Sequence, residues 1–465
     1  MKPWALTRPV GWLRLPRLVR LFAPAPPAAV QVTDPAAVET AYRSWRRRVL
    51  FSTIIGYATF YLVRKNLGIA MPLLEKDLGI SKADLGLFLT LHGVLYGVSK
   101  FANGFLGDRC NARAFMVAGL VASAFMNICF GFGSAVVTLG LCWMLNGWFQ
   151  GMGFPPCGRL MAHWFSPKEL ATKMCLWNTS HSLGAGLAVV LCGYLAVINW
   201  RLCFLVPAIL AGICALFLGA CLPDTPPSVG LPEVAGTQFP AARSGSAIPA
   251  RESPDAPPED FRAFVVERVL RNPYIWLLAL ANFFVYTVRY AVLDWGPTLL
   301  TETKGLKLTQ AGWMVAGFEI SGALGMLLSG WLTDHIFGGR GARACLVFMI
   351  LAGLAIFGFW QTPAASPRLS TLALCVAGFF IYGPQALIGI TAANLATKRA
   401  AATAIGFTGL FAYASTVLSG WGLGVLVQRH GWDAGFCALI GASVAGVILL
   451  ALVWRAKPHG YTDCP

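Results

Sequence analysis

The sequence predicts an all-α membrane protein: twelve transmembrane helices in two pseudo-symmetric six-helix bundles. Three observations predict it. Hydrophobic residues make up 57% of the 465 and charged residues only 12%, where a soluble domain carries about 25% charged. Twelve apolar stretches fill the chain between positions 49 and 455, each close to the roughly 20 residues that cross a bilayer as helix. One long hydrophilic interruption, 222–271, divides them six and six, and short motifs recur on its two sides at nearly constant spacing.

Taken in order, residues 1–48 are a basic N-terminal tail holding nine Lys+Arg. Arg14, Arg17 and Arg20 interrupt its apolar runs and prolines follow at once, so it is no clean signal peptide. It reads as a disordered tail, or as a start assigned too early; a basic helix on the membrane surface is the other reading. The first bundle, 49–221, takes the stretches 49–74, 84–106, 113–133, 135–157, 171–196 and 202–221. The linker 222–271 contains nine prolines and the run "FPAARSGSAIPARESPDAPPED", which predicts a flexible cytoplasmic segment ending in a short interfacial helix at "FRAFVVERVLR". The second bundle, 272–457, takes 273–300, 309–333, 343–361, 370–393, 402–427 and 433–455, and residues 458–465 are a C-terminal tail.

Net charge is +16, which in a soluble domain would suggest nucleic acid. Its distribution says otherwise. With both termini in the cytoplasm, 25 of the 36 Lys+Arg fall on that side and seven on the other. That bias is the positive-inside rule, so basicity reports topology and no nucleic-acid partner is expected; the partner is the bilayer. The thirteen cysteines form no C-x-x-C pair and fall mostly in apolar spans, where they read as small buried hydrophobes rather than disulfides or metal ligands.

The repeats carry the functional reading. Arg64 in "YLVR" and Arg289 in "YTVR" each follow a tyrosine, Tyr61 or Tyr286, by three residues, and 289 − 64 = 286 − 61 = 225. "GFLGD" ends at Asp108 and "GWLTD" at Asp334, 226 apart; "ELATK" and "NLATK" end at Lys173 and Lys398, 225 apart. A duplicated six-helix unit places substrate at mid-membrane between the halves, with alternating access by rocking. Each arginine lies about 20–25 Å from its helix's cytoplasmic end. A guanidinium there cannot shed its proton and costs about 2.5–3.5 kcal/mol to insert. Two matched cations of this kind predict an anion site, the alternative being internal ion pairs with Asp294 or Glu319. The spans hold four fixed cations, Arg64, Lys65, Lys100 and Arg289, against those two clear acids. At least two positive charges are therefore left over, enough to receive a phosphate monoester.

Tyr57, Tyr61 and Arg64 share one face of a helix at i, i+4, i+7, and Asn282, Tyr286 and Arg289 repeat the spacing. His92, Tyr96 and Lys100 share a face of the second span; Lys100 reaches the phosphate or snorkels to the cytoplasmic interface. His181, in "NTSHSLGAG", assists phosphate binding or serves as an interhelical contact. Lys65 points about 100° from Arg64 and is not expected on substrate. Tyr61, Tyr286, Trp177 and Tyr382 are the candidates for contact with the organic portion. Asp108, Arg109 and Arg113 in "GDRCNAR", with Asp334 as second-half counterpart, read as a conformational latch. No G-x-x-x-x-G-K-[ST], H-E-x-x-H or G-x-S-x-G is present, so no enzyme, metal or cofactor is expected and energy comes from a gradient or an exchanged solute.

"GFLGDRCNAR" resembles the loop motif of the major facilitator superfamily, with Asn111 where glycine is commoner. More specific, "FYLVRKN", "YGVSKF", "GWFQGMGFPPCGR", "LWNTSH", "FVYTVRYAVLDWGP", "FIYGPQALIGI" and "GFTGLFAY" together resemble the organophosphate:phosphate antiporters. That family includes the glycerol-3-phosphate and hexose-6-phosphate transporters and the hexose-phosphate sensor. The resemblance runs from about Ala41 to Arg455. It implies two six-helix bundles in an inner membrane, exchange of a sugar or polyol phosphate for inorganic phosphate, and a clamp of Arg64 and Arg289 assisted by Lys100 and His181. Ser182 stands where the family pattern has asparagine. A monomer holds the complete pathway. Two other readings stay open: a sensor of the same fold that signals to a membrane histidine kinase, and a proton-coupled importer of another anion.

Overall fold

The computed structural model describes residues 21–107, 110–165, 167–233, 266–396 and 401–456. Its described elements are helical, and each of the twelve apolar stretches falls on helix. In the first half these are α1 (Pro35–Leu62), α2 (Asn66–Leu78), α3 (Lys82–Gly107), α4 (Ala112–Phe132), α5 (Val136–Gln150), α6 (Phe154–Trp164), α7 (Pro167–Ile198) and α8 (Leu202–Cys221). The second half holds α9 (Pro273–Lys304), α10 (Leu308–His335), α11 (Gly341–Gln361), α12 (Pro367–Ala396), α13 (Ala401–Ala414) and α14 (Leu423–Leu452).

Among the described residues, eight helical segments are both long and apolar enough to cross a membrane. The longest, Ala404–Leu452, takes both of the last two predicted spans. It passes through a π-helical turn at Val417–Gly422 and breaks at Gly431, whose φ of 76° a side chain would resist. The stretch 84–106 lies on α3. The stretches 49–74 and 135–157 are each divided between two helices, α1/α2 and α5/α6, so neither is the single helix expected. Between α5 and α6 the sequence Gly151-Met152-Gly153 and the prolines at 155 and 156 explain the interruption. The α1/α2 break, at Val63–Lys65, has no such residue.

One apolar core runs through both halves, including Trp143 and Phe204 of the first and Trp295, Phe318 and Tyr382 of the second. A second is built on the first half around Phe60, Trp164 and Trp177, with Leu222 and Leu231 of the following segment. The halves approach closely where glycine leaves room. A Cβ on Gly68 would stand 2.7 Å from the Asp294 carbonyl oxygen, and one on Gly86 2.4 Å from that of Gly420. Small residues let helices meet at this range. Lys82 joins the same end of the molecule, bridging Glu75 at 2.6 Å and, across the halves, Glu302 at 3.1 Å. Ala83 N–H donates to Gln428 Oε1 at 2.9 Å beside it. Burial pulls the Lys82 ammonium down, but its hydrogen bonds to Glu75 and Glu302 outweigh burial and hold it above its ordinary value.

The expected disordered tail is corrected for residues 21–34, which are tied to the first half. Phe22 and Ala28 make backbone bonds to Asn111 and Pro227 at 2.8 Å. Asp224, in the segment expected to be flexible linker, accepts Ala25 N–H at 3.0 Å and Ala112 N–H at 2.9 Å. Arg159 lies 3.7 Å from the same carboxylate. A buried carboxylate satisfied by backbone donors and one guanidinium is a staple, not a loop residue. The interfacial helix expected at 261–271 is represented, among described residues, by a π-helical turn at Val266–Leu270.

Candidate functional site

The two matched arginines lie where α1/α2 and α9 face one another, each surrounded by tyrosine. Arg64 sits in the break between α1 and α2, so Tyr57 and Tyr61 share a face but Arg64 is not on a continuous helix with them, as the i, i+4, i+7 spacing had implied. Its guanidinium lies 4.0 Å over the Tyr96 ring and 5.3 Å over Tyr61. Arg289, by contrast, sits inside unbroken α9, with Tyr382, Tyr290 and Tyr286 rings 4.6, 5.5 and 6.0 Å away. Tyr413 packs edge-on to Tyr96 at 5.0 Å and Tyr57 to Tyr61 at 5.6 Å, completing the group. Seven of the chain's eleven tyrosines therefore meet here. Ring faces stabilise a desolvated cation without neutralising it.

The four cations divide two and two. Lys65 is paired with Asp294 at 2.5 Å, across the halves, and its Nζ lies 5.2 Å from the Tyr290 ring. Arg289 donates to Tyr382 Oη at 2.8 Å and stands 3.6 Å from Glu319, whose carboxylate accepts from the same hydroxyl. The internal-pair alternative is thus realised for Arg289, though loosely: its Nε and Glu319 Oε2 have no partner. The ion pairs among described residues give no carboxylate to Arg64 or Lys100. Lys100 Nζ donates to Tyr413 Oη at 3.2 Å and lies 4.3 Å over the Phe154 ring. It points at the tyrosine group rather than at the interface.

His181 faces the same group, its ring 6.0 Å from that of Tyr61. Its Nδ1 contacts the Asn178 carbonyl and Ser182 Oγ lies 3.3 Å from Nε2. Trp177 is fully buried, its ring tilted 36° to that of Tyr57 at 4.8 Å, with Nε1 donating to the Thr53 carbonyl, a packing position in the first half. His92 stacks on Trp143 at 5.0 Å, its Nδ1 3.0 Å from the Trp143 carbonyl oxygen. Asp108 and Arg109 lie outside the described residues, as does the Asp334 side chain. Arg113 is exposed on the first turn of α4, while Asn111 caps that helix by accepting Ala114 N–H at 3.1 Å. Asparagine's cap is a physical reason for its place in a loop where glycine is commoner.

Sequence reasoning did not single out Tyr290, the residue after Arg289, or Tyr413, which ends the motif "GFTGLFAY" on a different span. It also missed three asparagines behind Arg64, taken up below.

The Major Facilitator Superfamily model matches residues 53–420 and 301–463. The chain is 39% identical to the glycerol-3-phosphate transporter of Bacillus subtilis, over 94% of this chain and 98% of that protein. It is 38% identical to a probable hexose phosphate transport protein of Chlamydia trachomatis, over 93% and 96%. It is equally, 38%, identical to the membrane sensor protein UhpC of Salmonella typhimurium, over 94% and 98%. In structure it is similar to a bacterial homologue of the human lysosomal transporter Spinster, inward-facing and unoccupied. That likeness has a TM-score of 0.69 over 88% of this chain and 95% of that one, at 17% identity. Eight membrane-length helices among the described residues, paired halves and full-length relatives above 35% identity agree: this multi-pass membrane protein belongs to the organophosphate:phosphate antiporter family of the major facilitator superfamily.

Proposed function

We propose that the protein is an antiporter exchanging a phosphorylated sugar or polyol, of the hexose-6-phosphate or glycerol-3-phosphate class, for inorganic phosphate. One observation carries this reading: the two matched arginines each stand against the rings of clustered tyrosines, and one of them, with Lys100, has no carboxylate among the described residues. A phosphate monoester brings about −1.5 to −2 charge and three strong acceptors. It answers Arg64 directly and competes with Glu319 for the donors of Arg289, which that carboxylate holds only at 3.6 Å. Arg64 and Arg289 are then the clamp, with Lys100 and His181 assisting and Tyr61, Tyr286 and Tyr382 bordering the organic group. No chemical step is involved, and no enzyme activity is assigned.

The remaining particulars belong to the same proposal. The protein sits in the inner membrane with both termini cytoplasmic and works as a monomer of two bundles, 49–221 and 272–457, joined by the linker 222–271. The close approaches at Gly68 and Gly86 and the Lys82 bridge are then on the outer side. The conformation is closed outside, and alternating access consists in exchanging that closure for one at the cytoplasmic ends. Asp108, Arg109, Arg113 and Asp334 are the proposed latch at those ends.

Proteoliposomes loaded with labelled phosphate test the function. Addition of glycerol-3-phosphate, hexose-6-phosphate or phosphoglycerate outside should drive label out for at least one of them; no efflux with any would refute exchange. The 38% identity to a membrane sensor supports a second reading, a receptor that signals to a membrane histidine kinase. It predicts tight organophosphate binding without flux. A proton-coupled importer would instead need a pH gradient and no internal phosphate.

A further inference from the structure

The break between α1 and α2 has no local cause. Val63, Arg64, Lys65 and Asn66 include no proline or glycine, and the proline of α2 is nine residues beyond Val63. Yet Val63 (φ −93°, ψ 15°) and Lys65 (φ −101°, ψ 1°) leave helical geometry on both sides of Arg64. In an unbroken helix the Val63 carbonyl would accept the N–H of Leu67. Here it accepts two side-chain amides instead, Asn127 Nδ2 at 3.0 Å and Asn146 Nδ2 at 2.8 Å. Asn127 is itself fixed by donating to the Ser123 carbonyl at 2.9 Å and accepting Asn66 Nδ2 at 2.8 Å. Asn66 in turn donates to the Cys203 carbonyl at 2.9 Å. All three asparagines have no exposed surface, and the network joins α2, α4, α5 and α8 behind the arginine.

An unbonded carbonyl in a membrane interior costs several kcal/mol, so a helix opens there only where something replaces the lost donor. Two carboxamides do so. The second half lacks the device: α11, which follows α4 by 229 residues at both ends, carries no asparagine, α12 carries only Asn394 near its last turn, and Arg289 lies in unbroken α9. Breakage is thus matched to the presence of the asparagines, not to the arginine.

We propose that Asn127 and Asn146 are positioning residues that hold the first span open at Val63 and so set the direction in which Arg64 leaves the backbone. Without them Leu67 N–H recovers the Val63 carbonyl, the helix closes, and the side chain at 64 turns away from Tyr96. The consequence for transport rests on the antiporter reading; the direction of residue 64 does not. The test is therefore made first without transport. In full-length protein, Arg64→Cys is labelled with a small methanethiosulfonate reagent, with the native cysteines' reaction subtracted using unmutated protein. Adding Asn146→Leu, which removes a single bond, should slow labelling at least fivefold; Asn127→Leu is the second variant. Unchanged rates in either variant that folds overturn the proposal.

In the transport arm, Asn146→Leu on native Arg64 should raise the KM for phosphate at least tenfold while maximal exchange stays within twofold. If Arg64→Gln abolishes exchange but Asn146→Leu leaves KM unmoved, the positioning role is also overturned, since a merely structural asparagine would lower thermal stability alone. If labelling slows but Arg64→Gln exchanges at full rate, the brace stands and the antiporter reading falls.

Discussion

Replacing Gly86 with alanine separates a conformational role from a folding one. The added Cβ would stand 2.4 Å from the Gly420 carbonyl oxygen and 2.9 Å from its carbon. Ordinary contact begins near 3.4 Å, so α3 and the Val417–Gly422 turn must part by about 1.0 Å. Both neighbours are backbone and neither can rotate aside. Overpacking of this kind costs about 1–3 kcal/mol, and it is felt only while the outer ends are together. Alanine's helix-propensity advantage of about 0.5–1 kcal/mol over glycine is gained in both conformations and cancels between them. The overpacking alone moves the equilibrium between closures by about five- to 150-fold toward outside-open. A cysteine introduced at Gln428, beside Ala83 in the closed form, reports it through an impermeant maleimide. Gly86→Ala should raise its labelling rate at least fivefold with no loss of membrane-inserted protein. Unchanged labelling would refute the inference that this contact closes the outer side.

Three further perturbations follow the same physics. Lys82→Gln or Glu302→Gln removes the cross-half bridge and should also raise labelling at Gln428→Cys, by about three- to tenfold. The Lys82 value is held above 10.5, so its contribution to closure is intact at neutral pH and is lost only as pH rises through that higher value; opening of the bridge by titrating Lys82 below pH 9 would contradict this. Tyr382→Phe removes the hydroxyl that joins Arg289 to Glu319 and should raise the KM for phosphate several-fold with little change in protein amount; an unmoved KM would show that this hydroxyl does not orient the guanidinium. Asp224→Asn leaves Arg159 without its carboxylate and weakens two backbone anchors, a loss of about 1–3 kcal/mol. It should lower the detergent melting temperature while leaving KM unchanged, and the reverse pattern would make Asp224 part of the transport path.

Fold class and the arginine pair were legible because both are long-range, repetitive signals: membrane-length apolar runs, and motifs recurring 225 residues apart. The pairing of the four cations was only half legible. Counting charges showed that two would remain without acids, and Arg64 and Lys100 are those two, but nothing in the spacing told Arg289 from Arg64. Packing decides that, by bringing Glu319 and Tyr382 of other helices to Arg289. The α1/α2 break was invisible because its causes, Asn127 and Asn146, are more than 60 residues away in the chain and no local residue opposes a helix. Asp224 was read as linker because its sequence neighbours are prolines; its partners at 25, 112 and 159 are visible only in three dimensions.

The central claim is that uncompensated cationic charge between the halves binds the phosphoryl group. Phosphate counterflow in proteoliposomes containing Arg64→Gln or Arg289→Gln tests it most directly, with reconstituted protein matched to the unmutated chain. The account predicts that each single substitution lowers exchange by at least 100-fold. Counterflow at the unmutated rate in either variant would contradict it.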